Sequence, residues 1–191
     1  MVIIYIISEM SILEVIKTRR SIRKFLDKPV SDENAIKILD AARLAPSGGN
    51  MQRWKFIYIN NPDVLRMIKN CSPGFYGDAT AAIIAGIEYE ESSETSGQWG
   101  VSHIGILDIG FAAENILLAA HALSLGGCAI ASFNPSCVNK VVNATEKFRS
   151  VLVLSIGHPD KIPQMPKKAN LSEIVYLNEY GKNWEKLEGE E

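Results

Sequence analysis

Apolar residues recur at helical spacing at Ile12, Val15 and Ile16, which predicts a short amphipathic helix over 11–18 ending at a run of arginines. Ser31, followed by Asp32-Glu33-Asn34 and then by Ile36, Leu39 and Ala42, predicts a capped helix reaching about Arg43, stopped by Pro46 and the Gly48-Gly49 pair. Residues 54–59 alternate as a strand does, and Asn61-Pro62-Asp63 opens a helix that ends near Asn70. A second strand is predicted over 80–87. The longest helix spans 104–125, interrupted by Asp108, Glu114, Asn115 and His121; its mostly apolar surface predicts a central, buried position, with Gly126-Gly127 as its stop. A short strand over 128–133, a helix from Asn134-Pro135 through about Val142, and a fully buried strand over 151–156 complete the series.

This order of elements predicts an α+β layered domain without internal repeats or a long linker. The one polar excursion is 88–103, with Glu88, Glu90, Glu91 and Glu94, which reads as a solvated loop, or alternatively as a mobile cover over a site. A length of 191 residues with 47% apolar content suits one domain with a real core. Twenty basic against 22 acidic residues leave a net charge of −2, so no global field draws the chain to nucleic acid or an anionic membrane. Any basic function is local. Cys71, Cys128 and Cys137 are odd in number and match neither a metal knuckle nor a redox pair, which predicts small, buried, reduced thiols and a cytoplasmic setting.

The opening Met1-Val-Ile-Ile-Tyr-Ile-Ile run lacks a basic n-region and a small-residue cleavage site and is too short to span a bilayer, so it reads as no targeting signal. Met10 offers a more conventional start. Residues 1–10 are therefore taken as an N-terminal extension, an overcalled start or an added edge strand that contacts a partner subunit, and 11–191 as a single domain.

Two runs carry the chemistry. Arg19-Arg20-Ser21-Ile22-Arg23-Lys24-Phe25 supplies three guanidiniums and a hydroxyl within five positions, suited to a phosphate and a second electron-rich group. Ala45-Pro46-Ser47-Gly48-Gly49-Asn50-Met51-Gln52-Arg53-Trp54 is a turn rich in backbone and amide donors. Taken singly, each has a plainer reading. The first is an ordinary solvated basic turn, the second a helix stop. His103, His121 and His158 are scattered singly and are not expected to bind metal or act as bases. Trp54, Tyr76, Phe111 and Phe133 are expected mainly in the core. No GxGxxG after a strand, Walker loop, GxSxG or HExxH occurs.

In their order along the chain, these runs resemble the flavin-binding signatures of the nitroreductase family. Asp108 with Ala112-Ala113-Glu114-Asn115, the run from Leu125 to Phe133, Ile156-Gly157-His158-Pro159, Lys168 and Leu171-Ser172-Glu173-Ile174-Val175 extend the resemblance over about 11–181. It implies a sandwich of a central, mostly antiparallel sheet flanked by helices, in an intertwined homodimer with one FMN at each end of the interface. Arg19 and Ser21 match the positions that grip the FMN phosphate, Arg20 the ribityl and phosphate side, and Arg23 the pyrimidine edge. Pro46, Ser47, Gly48 and Asn50 match a loop that reaches the flavin from the other subunit, extended by Gln52. Ala131 and Ser132 match the strand end whose backbone N–H faces flavin N5. Lys168 matches a basic residue, commonly arginine, on the phosphate, with Lys167 able to share the role. Tyr76 sits where the family places ring-edge contacts.

The function implied is an FMN-dependent oxidoreductase taking hydride from NAD(P)H, a transient donor, and reducing small planar acceptors such as nitroaromatics or quinones by a ping-pong cycle. No side chain need be a nucleophile; Arg23 stabilises charge and the cofactor performs the chemistry. Three alternatives remain: a flavin-storing or sensing protein without turnover, a relative with another chemistry such as reductive dehalogenation, and a cofactor-free dimer.

Overall fold

The computed structural model of the chain describes residues 11–88 and 103–187. The N-terminal extension and most of the 88–103 excursion lie outside the described residues. The elements run α1 (Ile12–Thr18), α2 (Asp32–Arg43), β1 (Trp54–Ile59), α3 (Pro62–Asn70), β2 (Ala81–Glu88), α4 (Gly105–Ala122), β3 (Gly126–Ile130), α5 (Pro135–Val141), β4 (Phe148–Gly157) and α6 (Leu171–Ile174). The helix starts follow the capping residues. Ser11 and Glu14 form a reciprocal capping box, Ser31 accepts from the Asn34 amide, and Asn61 and Asn134 cap helices that begin with proline.

The four strands form one antiparallel sheet in the order β1-β2-β4-β3. Strand β2 sits centrally and is buried on both faces, so successive side chains enter different cores. Ile83, Ala85 and Ile87 meet Ile38 and Ala42 of α2 and Ile109, Ala112, Ile116 and Ala120 of α4. Ala82 and Ile84 meet Leu65 and Ile68 of α3, Val138 of α5, and Ile130, Phe148 and Val153. Each fully buried isoleucine contributes roughly 1.5–3 kcal/mol of transfer free energy. Helix α4 is the one helix among the described residues long and apolar enough to cross a membrane, and its packing against α2 and the sheet makes it the centre of the first core.

Several expectations change. The Gly126-Gly127 pair does not stop α4. The helix ends at Ala122, Ser124 takes the left-handed turn (φ 58°), and both glycines open β3, which ends at Ile130. The reason is space. A Cβ on Gly126 would collide with the Ile22 side chain, and one on Gly157 would lie 2.9 Å from the Phe25 ring. The glycines thus let 21–26 lie against the sheet. Strand β4 is longer than predicted, beginning at Phe148. Helix α4 is not buried all round, since Ile106, Leu107 and Phe111 are exposed. Tyr76 and Phe111 are likewise surface residues, while Trp54 is core and Phe133 half-buried.

The expectation of three reduced thiols is also overturned. Cys71 and Cys137, 66 residues apart, form a disulfide with Cα atoms 5.7 Å apart, and only Cys128 is a free, buried thiol. Sequence spacing missed the pair because α3 and α5 become neighbours only on the folded sheet. Thiol count therefore carries no argument about compartment here.

The Gly126→Ala variant is expected to lose about 1–3 kcal/mol, the usual cost of overpacking a tight contact, measured by urea unfolding. An unchanged midpoint would show that Ile22 moves aside freely.

Candidate active site

The arginine run is fixed by the sheet margin. Ser21 bridges Gly127 in parallel, and the Ile22 amide donates to the Gly127 carbonyl at 2.9 Å. Farther along, the Leu26 amide donates to the His158 carbonyl at 2.9 Å, and the Asp160 amide to the Lys24 carbonyl at 3.1 Å. The segment is thereby held at both ends, and the residues between have a defined direction.

Arg19, Arg20, Ser21 and Arg23 converge with Lys168 on one cleft of about 380 Å³, joined by Lys17 and the 163–166 stretch. Five of the expected binding residues thus share a cavity, although Lys168 lies some 145 positions beyond Arg23 in sequence. Among the described residues no carboxylate lines it. Of the five cations gathered there, Arg19 is paired with a carboxylate from outside the cleft, and the charge that remains is unfavourable unless an anion joins it.

The arginines are individually oriented. Arg19 Nε donates to Glu114 Oε1 of α4 at 3.1 Å. Arg20 Nη1 donates to the Lys17 and Arg19 carbonyls at 3.0 and 2.7 Å, closing the end of α1, while its buried Nε has no partner. That orphaned donor, the guanidinium set and the Ser21 hydroxyl fit a phosphate-bearing cofactor such as FMN. Beside them, Thr18 Oγ1 gives its hydrogen to the Glu14 carbonyl (2.6 Å), so His121 Nε2, 2.8 Å away, donates to the Thr18 oxygen. Burial, and then the charges of Arg19 and Arg20, hold the His121 imidazole below its ordinary pKa. His121 thus braces the end of α1, and the His158 imidazole is likewise held below its ordinary pKa, mainly by burial.

The second run forms a separate shelf. Pro46 and Ser47 lead into a 3-10 turn at Gly48–Asn50, and Gly49, Asn50 and Gln52 all take left-handed φ values of 57°, 56° and 49°. For Asn50 and Gln52 this backbone costs energy and needs support. Ser47 Oγ accepts from the Gln52 amide (3.1 Å), Gln52 Nε2 donates to Asn50 Oδ1 (3.1 Å), and buried Asp108 Oδ1 accepts from the Gly48 amide (3.1 Å). Pro46, Ser47, Gly48, Asn50 and Gln52 do not line the arginine cleft of their own chain. Ala131 and Ser132 follow β3 and are exposed; the Ser132 carbonyl accepts from Gly74, and Ser132 lines a different cleft.

The Nitroreductase family model matches residues 16–96 and 68–158. The chain belongs to the nitroreductase family. A protein from Methanothermobacter thermautotrophicus named NADH dehydrogenase/NAD(P)H nitroreductase is 42% identical over 124 residues, a match covering 63% of this chain and 60% of that protein. One of the same name from Archaeoglobus fulgidus is 35% identical over 156 residues, covering 77% of this chain and 84% of that protein. The solved structure of an FMN-dependent nitroreductase from Clostridium difficile R20291 superposes with a TM-score of 0.75 at 28% identity, covering 88% of this chain and 99% of that one.

Sequence reasoning gave no site role to Lys17, Thr18, Asp108, Glu114 or His121. The signal for the last three was present, since each interrupts an otherwise apolar helix; of them Asp108 is the buried one and so requires a partner. Asp108→Ala should free the Gly48 amide to exchange faster and cost about 1–3 kcal/mol, the range for leaving a buried donor unmet. Asp108→Asn, which keeps an acceptor oxygen, should lose less. Hydrogen exchange at Gly48 with urea unfolding distinguishes the two; equal losses would remove Asp108 as the anchor.

Proposed function

We propose that this nitroreductase-family chain is an FMN-dependent oxidoreductase, taking hydride from NAD(P)H and reducing small planar acceptors such as nitroaromatics or quinones. The observation that carries the reading is the convergence of Arg19, Arg20, Ser21, Arg23 and Lys168 on one cleft without a lining carboxylate. FMN, when bound, supplies a ring that accepts hydride at N5 and passes the electrons on. Arg19, Ser21 and Lys168 would hold its phosphate, with Lys168 a point charge where an arginine would give a bidentate fork. Arg20 offers its free Nε from a position locked by two carbonyls. Arg23, four positions beyond Arg19 on the same docked segment, would sit at the pyrimidine edge and offset negative charge developing there. Ala131 and Ser132 would supply backbone N–H groups near N5. Gly127, beside Ser21, and Ser132 are separated by on the order of 15 Å of extended chain, a span suited to a phosphorylated ribityl chain and its ring.

The working unit in this reading is a homodimer. Ile12, Leu13 and Ile16 of α1, and Ile106, Leu107 and Phe111 of α4, leave large apolar side chains exposed, Leu13 at 73% and Leu107 at 60%. Ile162, Leu171, Ile174 and Tyr180 do the same along the 159–187 arm. Surfaces of that extent favour association. A second copy would also explain why the braced 46–52 shelf stands apart from the arginine cleft of its own chain, since it could complete the partner's site.

Two variants test the assignment. Arg19→Ala is expected to weaken FMN binding tenfold or more, the scale of one charge-assisted contact. Arg23→Ala is expected to slow NAD(P)H-driven flavin bleaching at least tenfold while changing the FMN dissociation constant less than threefold. Fluorescence titration and anaerobic stopped-flow spectroscopy read the two effects, and the reverse pattern would overturn the roles.

A further inference from the structure

The Cys71–Cys137 disulfide lies at the segment just beyond β3. Cys71 is the C-cap residue of α3, and Cys137 lies in the first turn of α5. Both border an open cleft of about 620 Å³ whose wall includes Ser132 and Asn134. Cys71 is buried in the second core, whereas Cys137 is half-buried at its margin. One half of the bond is therefore anchored and the other is reachable.

The same region is clamped by three hydrogen bonds. The Asn134 amide donates to the Cys71 carbonyl at 2.8 Å, the Gly74 amide to the Ser132 carbonyl at 3.1 Å, and the Cys137 amide to Asn134 Oδ1 at 3.0 Å. The disulfide adds a covalent tie from the 71–74 turn to the first turn of α5, which directly follows the 131–134 segment. Breaking it leaves those bonds at the edge of an open cleft, where local opening is easiest.

We propose that Cys71–Cys137 is a thiol-exchange site for a dithiol reductant, and that its reduction loosens the 131–134 segment. The incoming thiolate attacks the Cys137 sulfur, the S–S bond breaks, and Cys71 leaves as a thiolate that takes up a proton. The reductant's second thiol then displaces Cys137 from the mixed disulfide. The dithiol is oxidised by two electrons to its own disulfide, and the protein gains two thiols. Any consequence for flavin chemistry rests on Ala131 and Ser132 facing N5, as read above; the exchange site itself does not.

The test uses the full chain under native conditions, treated with dithiothreitol and then iodoacetamide, with cysteine alkylation and amide hydrogen exchange followed by mass spectrometry. Cys71 and Cys137 should become alkylated while Ile83 and Val153, in the central strands, keep their protection. Exchange at Gly74 and Asn134 should rise at least tenfold. A full-length Cys137→Ser variant should show the same rise without reductant. The proposal is overturned if the cysteines are never alkylated, or are alkylated only as Ile83 and Val153 lose protection. Unchanged exchange at Gly74 and Asn134, in reduced protein or in the variant, overturns it equally. Every readout is made without flavin, so a failure to bind FMN would count against the proposed function and leave this outcome separate.

Discussion

Four polar side chains interrupt the apolar run of α4, and each finds a partner on a segment that builds the candidate site; for Asp108, the buried one, a partner is obligatory. Asp108 takes the Gly48 amide and fixes the 46–52 shelf, Glu114 takes Arg19, Asn115 donates to the Ala41 carbonyl at the end of α2, and His121 braces Thr18 at the end of α1. Unmet, buried Asp108 and the amide it accepts from would cost on the order of 1–3 kcal/mol, whereas Glu114, with 47% of its side chain exposed, is solvated without its partner. The central helix thus acts as a frame. Its apolar residues fill the first core, and its polar residues set the positions of loops that the sheet alone would leave undetermined.

The second constraint is close approach. The arginine run reaches its place because Gly126 and Gly157 have no side chains where Ile22 and Phe25 lie. Hydrogen bonds to the Gly127 and His158 carbonyls then orient it. A cation cluster so fixed has already lost conformational freedom before any ligand arrives, which favours a phosphate bound without further ordering. The excess positive charge of the cleft and the unmet Nε of Arg20 point the same way.

Much of this was legible in the residues. Periodicity and apolar runs placed the four strands and helices α1 to α5, though not the short α6, and capping residues located α1, α2, α3 and α5 within a position or two. Most of the arginine cleft was legible because its cations are concentrated in one run. Other features depended on contacts across the fold. Gly126-Gly127 has the composition of a helix stop, and only the folded chain brings Ile22 into the space beside Gly126. The Cys71–Cys137 pair spans 66 positions and is brought together by two helices on one face of the sheet. The exposed stripe of α4 escaped detection because Ile106, Leu107 and Phe111 are as apolar as their buried neighbours, and composition cannot tell a core face from one that awaits a partner.

The central claim is that the arginine cleft holds a flavin competent to accept electrons from NAD(P)H. The most direct measurement is the visible spectrum of the purified protein supplied with FMN, recorded without oxygen before and after adding NADH or NADPH. The account predicts bound-flavin absorption bands that bleach with at least one of the two donors. Protein that stays colourless and cannot take up FMN would contradict it, and so would a bound flavin that neither donor reduces.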